Sequence, residues 1–113
     1  MLSAENRQDR ARPRRVVNKL LVSRNLKTMS SRTSVRLERQ LWDAYDEICV
    51  DQKMTRNQLS MRIDEARPEA VNFTAAVRVL ITAYFRCSIN EEDEVVALRK
   101  ALFVMAGSWA MAE

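Results

Sequence analysis

The sequence predicts a mainly helical fold with one strand per chain, paired across an intertwined homodimer, and two further helices beyond that core. Three observations lead there. The run Arg32-Thr33-Ser34-Val35-Arg36-Leu37 alternates, with Thr33, Val35 and Leu37 on one face and Arg32, Ser34 and Arg36 on the other. The segments after it repeat apolar residues at helical spacing. One Gly and two Pro in 113 residues fit helices joined by short connections, and the length fits one domain with a modest core. A lone strand with one buried face leaves a row of peptide groups unpaired, so its expected mate is the same strand of a second copy. A mate within the chain would remove that argument.

Three regions are expected. Residues 1–29 read as a basic, largely disordered arm, with Pro13 inside an arginine cluster and no apolar periodicity over the first fifteen residues. Within it, Val16, Val17, Leu20 and Leu21 fit a helical stripe, while Leu20-Leu21-Val22 also fits a short strand. A fold-back of that strand onto 33–37 is disfavoured, because Lys27-Thr28-Met29-Ser30-Ser31 lacks the Gly-containing turn that hairpins prefer. Residues 30–67 form the core, and 68–113 a C-terminal helical extension.

The first helix is expected from Glu38 or Arg39 to about Gln52, with Leu41, Tyr45, Ile48 and Cys49 as its apolar stripe and Trp42 at the edge. Thr55 caps the second helix, which carries Leu59, Ile63 and Ala66 inward and ends at Pro68. The third starts near Asn72 or Thr74 and places Val77, Leu80, Ile81 and Tyr84 on one face. Ser88-Ile89-Asn90-Glu91 reads as a capping box, with Glu91, Glu92, Asp93 and Glu94 complementing the dipole of a fourth helix that runs toward Trp109.

Charge is unevenly placed. Residues 1–39 hold 11 Lys and Arg against 3 Asp and Glu, a net +8, and the remainder holds 8 against 12, a net −4. A basic third on a mildly acidic body suits a nucleic-acid partner, and equally a solvated tail. Arg12, Arg14 and Arg15 could enter a minor groove or bind phosphates without sequence preference. The cysteines, Cys49 and Cys87, sit at or beside apolar helical positions and read as small buried hydrophobes. With no His and no clustered thiolates or carboxylates, no metal or other cofactor is expected. The first fifteen residues lack the apolar centre of a secretory signal. The longest apolar run, 101–112, falls short of the ~20 residues that span a bilayer. A soluble, cytoplasmic protein is the expectation. No glycine-rich phosphate loop and no nucleophile with an adjacent base is visible, so no enzyme is expected.

The order of basic arm, strand, helix, turn and capped helix resembles the ribbon-helix-helix family of bacterial and phage DNA-binding proteins. The resemblance covers residues 30–67 and rests on Thr33-Ser34-Val35-Arg36-Leu37, Leu41-Trp42-Asp43-Ala44-Tyr45 and Met54-Thr55-Arg56-Asn57-Gln58-Leu59. Leu21-Val22-Ser23-Arg24-Asn25 and the helix around 75–86 are similar to a subgroup of short ribbon-helix-helix proteins. Two features depart from the pattern: Glu38 stands where a proline is common, and two helices follow Arg67.

The resemblance implies that Arg32, Ser34 and Arg36 read base edges in the major groove, and that Thr55, Arg56 and Asn57 hold a phosphate. The chemistry suits both roles. Arginine engages guanine O6 and N7 together, and a helix N-terminus favours an anion. The implied function is sequence-specific binding to double-stranded DNA by a homodimer, as a transcriptional repressor at a pseudo-palindromic operator, with higher oligomers on adjacent half-sites. Such a protein would be nucleoid-associated when bound. Helix 4 carries more apolar residues than one buried face needs. They belong either in a dimer core or on a partner-binding surface, as in an antitoxin-like adaptor.

Overall fold

The computed structural model describes residues 20–110. The chain forms β1 (Leu21–Lys27), β2 (Arg32–Glu38), α1 (Arg39–Gln52), α2 (Arg56–Ala66), α3 (Phe73–Ser88) and α4 (Glu94–Gly107). The mainly helical class and the two added helices stand. The single strand per chain does not: β1 and β2 pair antiparallel within the chain, from Leu21 opposite Glu38 to Lys27 opposite Arg32. Residues 32–37 therefore have a mate of their own, and the reason for borrowing one from a second copy falls away. The arm likewise gives way to strand over 21–27. Arg12, Arg14 and Arg15 lie outside the described residues.

The turn explains how a hairpin forms here without glycine. The Thr28 N–H donates to the Ser31 carbonyl at 2.7 Å, and the Thr28 hydroxyl donates to the same oxygen at 3.0 Å. Ser31 N–H donates back to that hydroxyl at 3.0 Å. A side chain thus supplies the closure that a left-handed glycine would otherwise make possible. Lys53, at the end of α1, is the one residue with positive φ among those described.

Helix α2 holds the turn in place from beneath. Lys27 N–H donates to Asn57 Oδ1 at 3.0 Å, Ser60 Oγ donates to the Lys27 carbonyl, and Met29 N–H donates to Asp64 Oδ2 at 2.8 Å. Helix α1 holds the other end of β1, where Trp42 Nε1 donates to the Val22 carbonyl at 2.8 Å. Trp42 is only 1% exposed while Leu41 is half-buried, reversing their expected places at centre and edge of the stripe. The indole needs a carbonyl partner once buried, and β1 provides it.

Thr55 caps α2 in a full capping box with Gln58, and Asn72 caps α3. The box expected at Ser88 does not form. Ser88 Oγ donates to the Tyr84 carbonyl at 2.8 Å, inside α3, and Asp93 caps α4 instead. A carboxylate that accepts both Val95 and Val96 N–H groups outcompetes a serine already bonded within the preceding helix. One hydrophobic cluster runs from Leu26, Val35 and Leu37 under the hairpin, through Trp42, Tyr45, Leu59 and Ile63, to Leu98 and Met105 of α4.

Candidate nucleic-acid interface

Residues directly opposite in an antiparallel pair share a face. Arg36 therefore stands beside Ser23, Ser34 beside Asn25, and Arg32 beside Lys27, and all six are exposed. The opposite face carries Val22, Leu26, Val35 and Leu37 toward the core. Ser23 and Ser34 hydroxyls meet across the strands at 2.7 Å, which links the two rows. The hairpin is thus a two-stranded ribbon with a polar outer surface made by a single chain.

That surface keeps its positive charge. Among the described residues, Lys27, Arg32 and Arg36 have no acidic partner, whereas Arg24, Arg56, Arg67, Arg78 and Lys100 all do. Glu38 is the carboxylate on the outer face, at its far end. It turns to Arg78 on α3 at 2.9 Å, and its own backbone N–H together with Arg78 holds its pKa below the usual carboxylate range. The cations therefore face solvent without local neutralisation, the state a polyanion would exploit.

Arg24 breaks the polar alternation of β1 by pointing inward. Its guanidinium lies 5.0 Å from the Trp42 ring centroid and 3.4 Å from Asp46 Oδ2. Asp46 also receives Arg56 in a two-point bond, Nε to Oδ1 at 2.7 Å and the terminal nitrogen to Oδ2 at 2.8 Å. This bonding, chiefly to Arg56, depresses the Asp46 pKa. The neighbouring Tyr45 phenol is pushed upward by burial and donates to the Arg56 carbonyl at 2.7 Å. Arg24, Asp46 and Arg56 thus lock β1, α1 and the start of α2 together.

The structure treats the three expected phosphate residues differently. Thr55 Oγ1 accepts from Gln58 N–H at 3.0 Å, and Thr55 N–H donates to Gln58 Oε1 at 2.8 Å. The box leaves the Arg56 and Asn57 N–H groups as the first-turn donors of α2. The Arg56 side chain is committed to Asp46, and Asn57 Oδ1 to the backbone of Lys27. That last bond places the α2 N-terminus beside the Lys27–Arg32 end of the ribbon, so the two expected sets of residues adjoin there.

Sequence reasoning missed Ser23, Asn25 and Lys27. Their alternation with Val22 and Leu26 was the available signal, and the inward Arg24 between them concealed it.

A basic ribbon standing on a helix and a capped second helix is the layout of a ribbon-helix-helix module. A family model described as the ribbon-helix-helix domain matches residues 21–85, more than half of the chain, and the chain belongs to that family. The match begins at the first residue of β1 and runs through most of α3. No curated protein and no solved structure matches the chain. Membership supports a DNA-binding or regulatory protein. Among the described residues, no helix is long and apolar enough to cross a membrane.

Proposed function

We propose that this protein is a sequence-specific DNA-binding regulator, acting as a transcriptional repressor by occupying an operator. Its hairpin enters a major groove, which admits a two-stranded ribbon. Arg32, Ser34 and Arg36 face base edges from one row and Ser23 and Asn25 from the second, while Lys27, held against Asn57 at the start of α2, takes a phosphate. The N–H groups at the start of α2, at Arg56 and Asn57 beside the Thr55 cap, take a flanking phosphate. The Arg56 guanidinium serves to fix that helix against Asp46 rather than to reach DNA. The protein acts in the cytoplasm, on the nucleoid.

The observation that carries this reading is the outer ribbon face, whose three cations lack acidic partners among the described residues. Selection of bound sequences from a random double-stranded pool tests it, followed by Arg36→Ala. The variant should lose about 1–3 kcal/mol on the selected site and relax preference at the base pair Arg36 contacts. Equal losses on selected and random DNA would remove the base-reading role. A pool that shows no enrichment would remove sequence-specific binding altogether.

A second reading, an interaction module whose C-terminal helix binds a partner protein, draws on one specific observation. Phe103 on α4 is 81% exposed and Val104 49%.

A further inference from the structure

Between α3 and the C-terminal half of α4 lies a recess that the DNA-binding reading leaves unused. Its volume is about 570 Å³. Two rows of α3 line it. Arg78, Thr82 and Arg86 recur at spacings of four and stand above one another, and Val79 and Ala83 form the adjoining row by the same spacing. Val104 of α4 makes the facing wall. The short side chain of Ala83 leaves room between that wall and Val79, so the recess has an apolar floor with a polar edge.

The two arginines of that edge are not equivalent. Arg78 meets the Glu38 carboxylate at 2.9 Å, at the end of the ribbon opposite the turn. Arg86 has no acidic partner among the described residues. The open cation therefore stands at one end of the recess, with the Thr82 hydroxyl one helical turn before it. From Arg86 the apolar floor runs back past Ala83 to Val79, about 10 Å along the helix axis.

An anionic head with an apolar tail matches that order. The volume falls within the range of small-molecule pockets, roughly 300–1,000 Å³. A phosphodiester backbone would satisfy the arginine but gain nothing from the floor, whereas a hydrocarbon body gains by leaving water there. A carboxylate accepts two parallel bonds from one guanidinium, the strongest pairing open to Arg86. We propose that this recess binds a small organic carboxylate with an extended apolar body. Arg86 and Thr82 hold the head; Val79, Ala83 and Val104 hold the tail; Arg78, turned to Glu38, closes the far end.

Octanoate is the probe, titrated calorimetrically into the full chain without DNA, so the result does not depend on operator binding. It should bind saturably, one per chain. Octanol, which lacks the charge, and acetate, which lacks the tail, should each bind at least tenfold more weakly. Arg86→Ala should weaken octanoate about tenfold or more by deleting a charge-assisted bond. Val104→Glu should do the same by setting a like charge in the wall. Both side chains are exposed, and a urea transition matching the unmodified chain would show that each variant still folds. Absence of saturable binding overturns the proposal, as does octanol or acetate that binds as tightly as octanoate. Octanoate affinity indifferent to both variants overturns it too. An Arg86→Ala chain that loses affinity for DNA but keeps it for octanoate would assign that cation to the duplex instead.

Discussion

On the outer face of the hairpin, six polar side chains, three of them cationic, stand in two rows over a buried apolar underside. On the outer face of α4 the materials are reversed: Phe103, Val95 and Val104 are exposed beside Arg99 and Lys100, and Glu91 already holds Lys100. Both faces remain open for a physical reason. A ribbon buries one side by the two-residue alternation of its strands, and α4 buries one side by the helical period. What each leaves outside differs in the partner it can satisfy. Unpaired cations gain by displacing counterions from a phosphate backbone, whereas exposed aromatic and branched surface gains by leaving water. The first face is also heavily braced from below, by Trp42, Asn57, Ser60 and Asp64. Such bracing sets the orientation of a reading surface before binding, which lowers the ordering cost of recognition.

The largest expected effect follows from removing that brace. Trp42→Ala should destabilise the fold by about 3–5 kcal/mol in urea denaturation, through a cavity and an unpartnered Val22 carbonyl. A loss below about 1 kcal/mol would mean that the indole is not the footing of β1. Thr55→Ala should cost about 1 kcal/mol of stability by deleting the α2 cap. It should also weaken DNA binding uniformly across sequences if the α2 N-terminus takes a phosphate; unchanged binding at full folding would confine Thr55 to capping. Lys27→Ala should leave stability nearly unchanged and lower the slope of log affinity against log salt by about 1. An unaltered slope would place Lys27 away from the phosphates.

The smallest effect concerns acid. Asp46 is held below its usual value of 3.8, chiefly by Arg56. Asp64 is also lowered: burial opposes ionisation there, but bonds from Met29 N–H and Arg67 outweigh it. Both carboxyls bind protons less readily folded than unfolded. Their contribution is therefore full above about pH 4 and fades as pH falls through the lower native values. Urea midpoints between pH 6 and 2.5 should decline in that acid range, and Asp46→Asn should flatten the decline. A variant with the wild-type acid profile would assign the loss to other carboxyls.

Much of the helical frame was legible. Tyr45, Ile48, Leu59, Ile63, Val77 and Leu80 fall inward as their spacing requires, and Thr55 caps α2 through its local hydroxyl. Trp42 was misplaced at an edge because periodicity gives a direction for a side chain, not the carbonyl waiting at the end of it. The cap of α4 shifted from Ser88 to Asp93 because two local bonding schemes competed, and spacing alone cannot rank them. Of the site, the β2 row was legible in full, and Arg32, Ser34 and Arg36 are outward as expected. The β1 row was not, since a glycine-free turn and an inward arginine both disguise a hairpin.

The sequence by itself determined which side of 32–38 faces out, where α1 and α2 begin, and that cations gather there. Those are short-range consequences of alternation, helical period and capping chemistry. Only the tertiary structure decided that the mate of β2 is β1. That choice depends on anchors distant in the chain, Trp42 at one end of β1 and Asn57, Ser60 and Asp64 at the other, whose bonds exist only once the helices have packed.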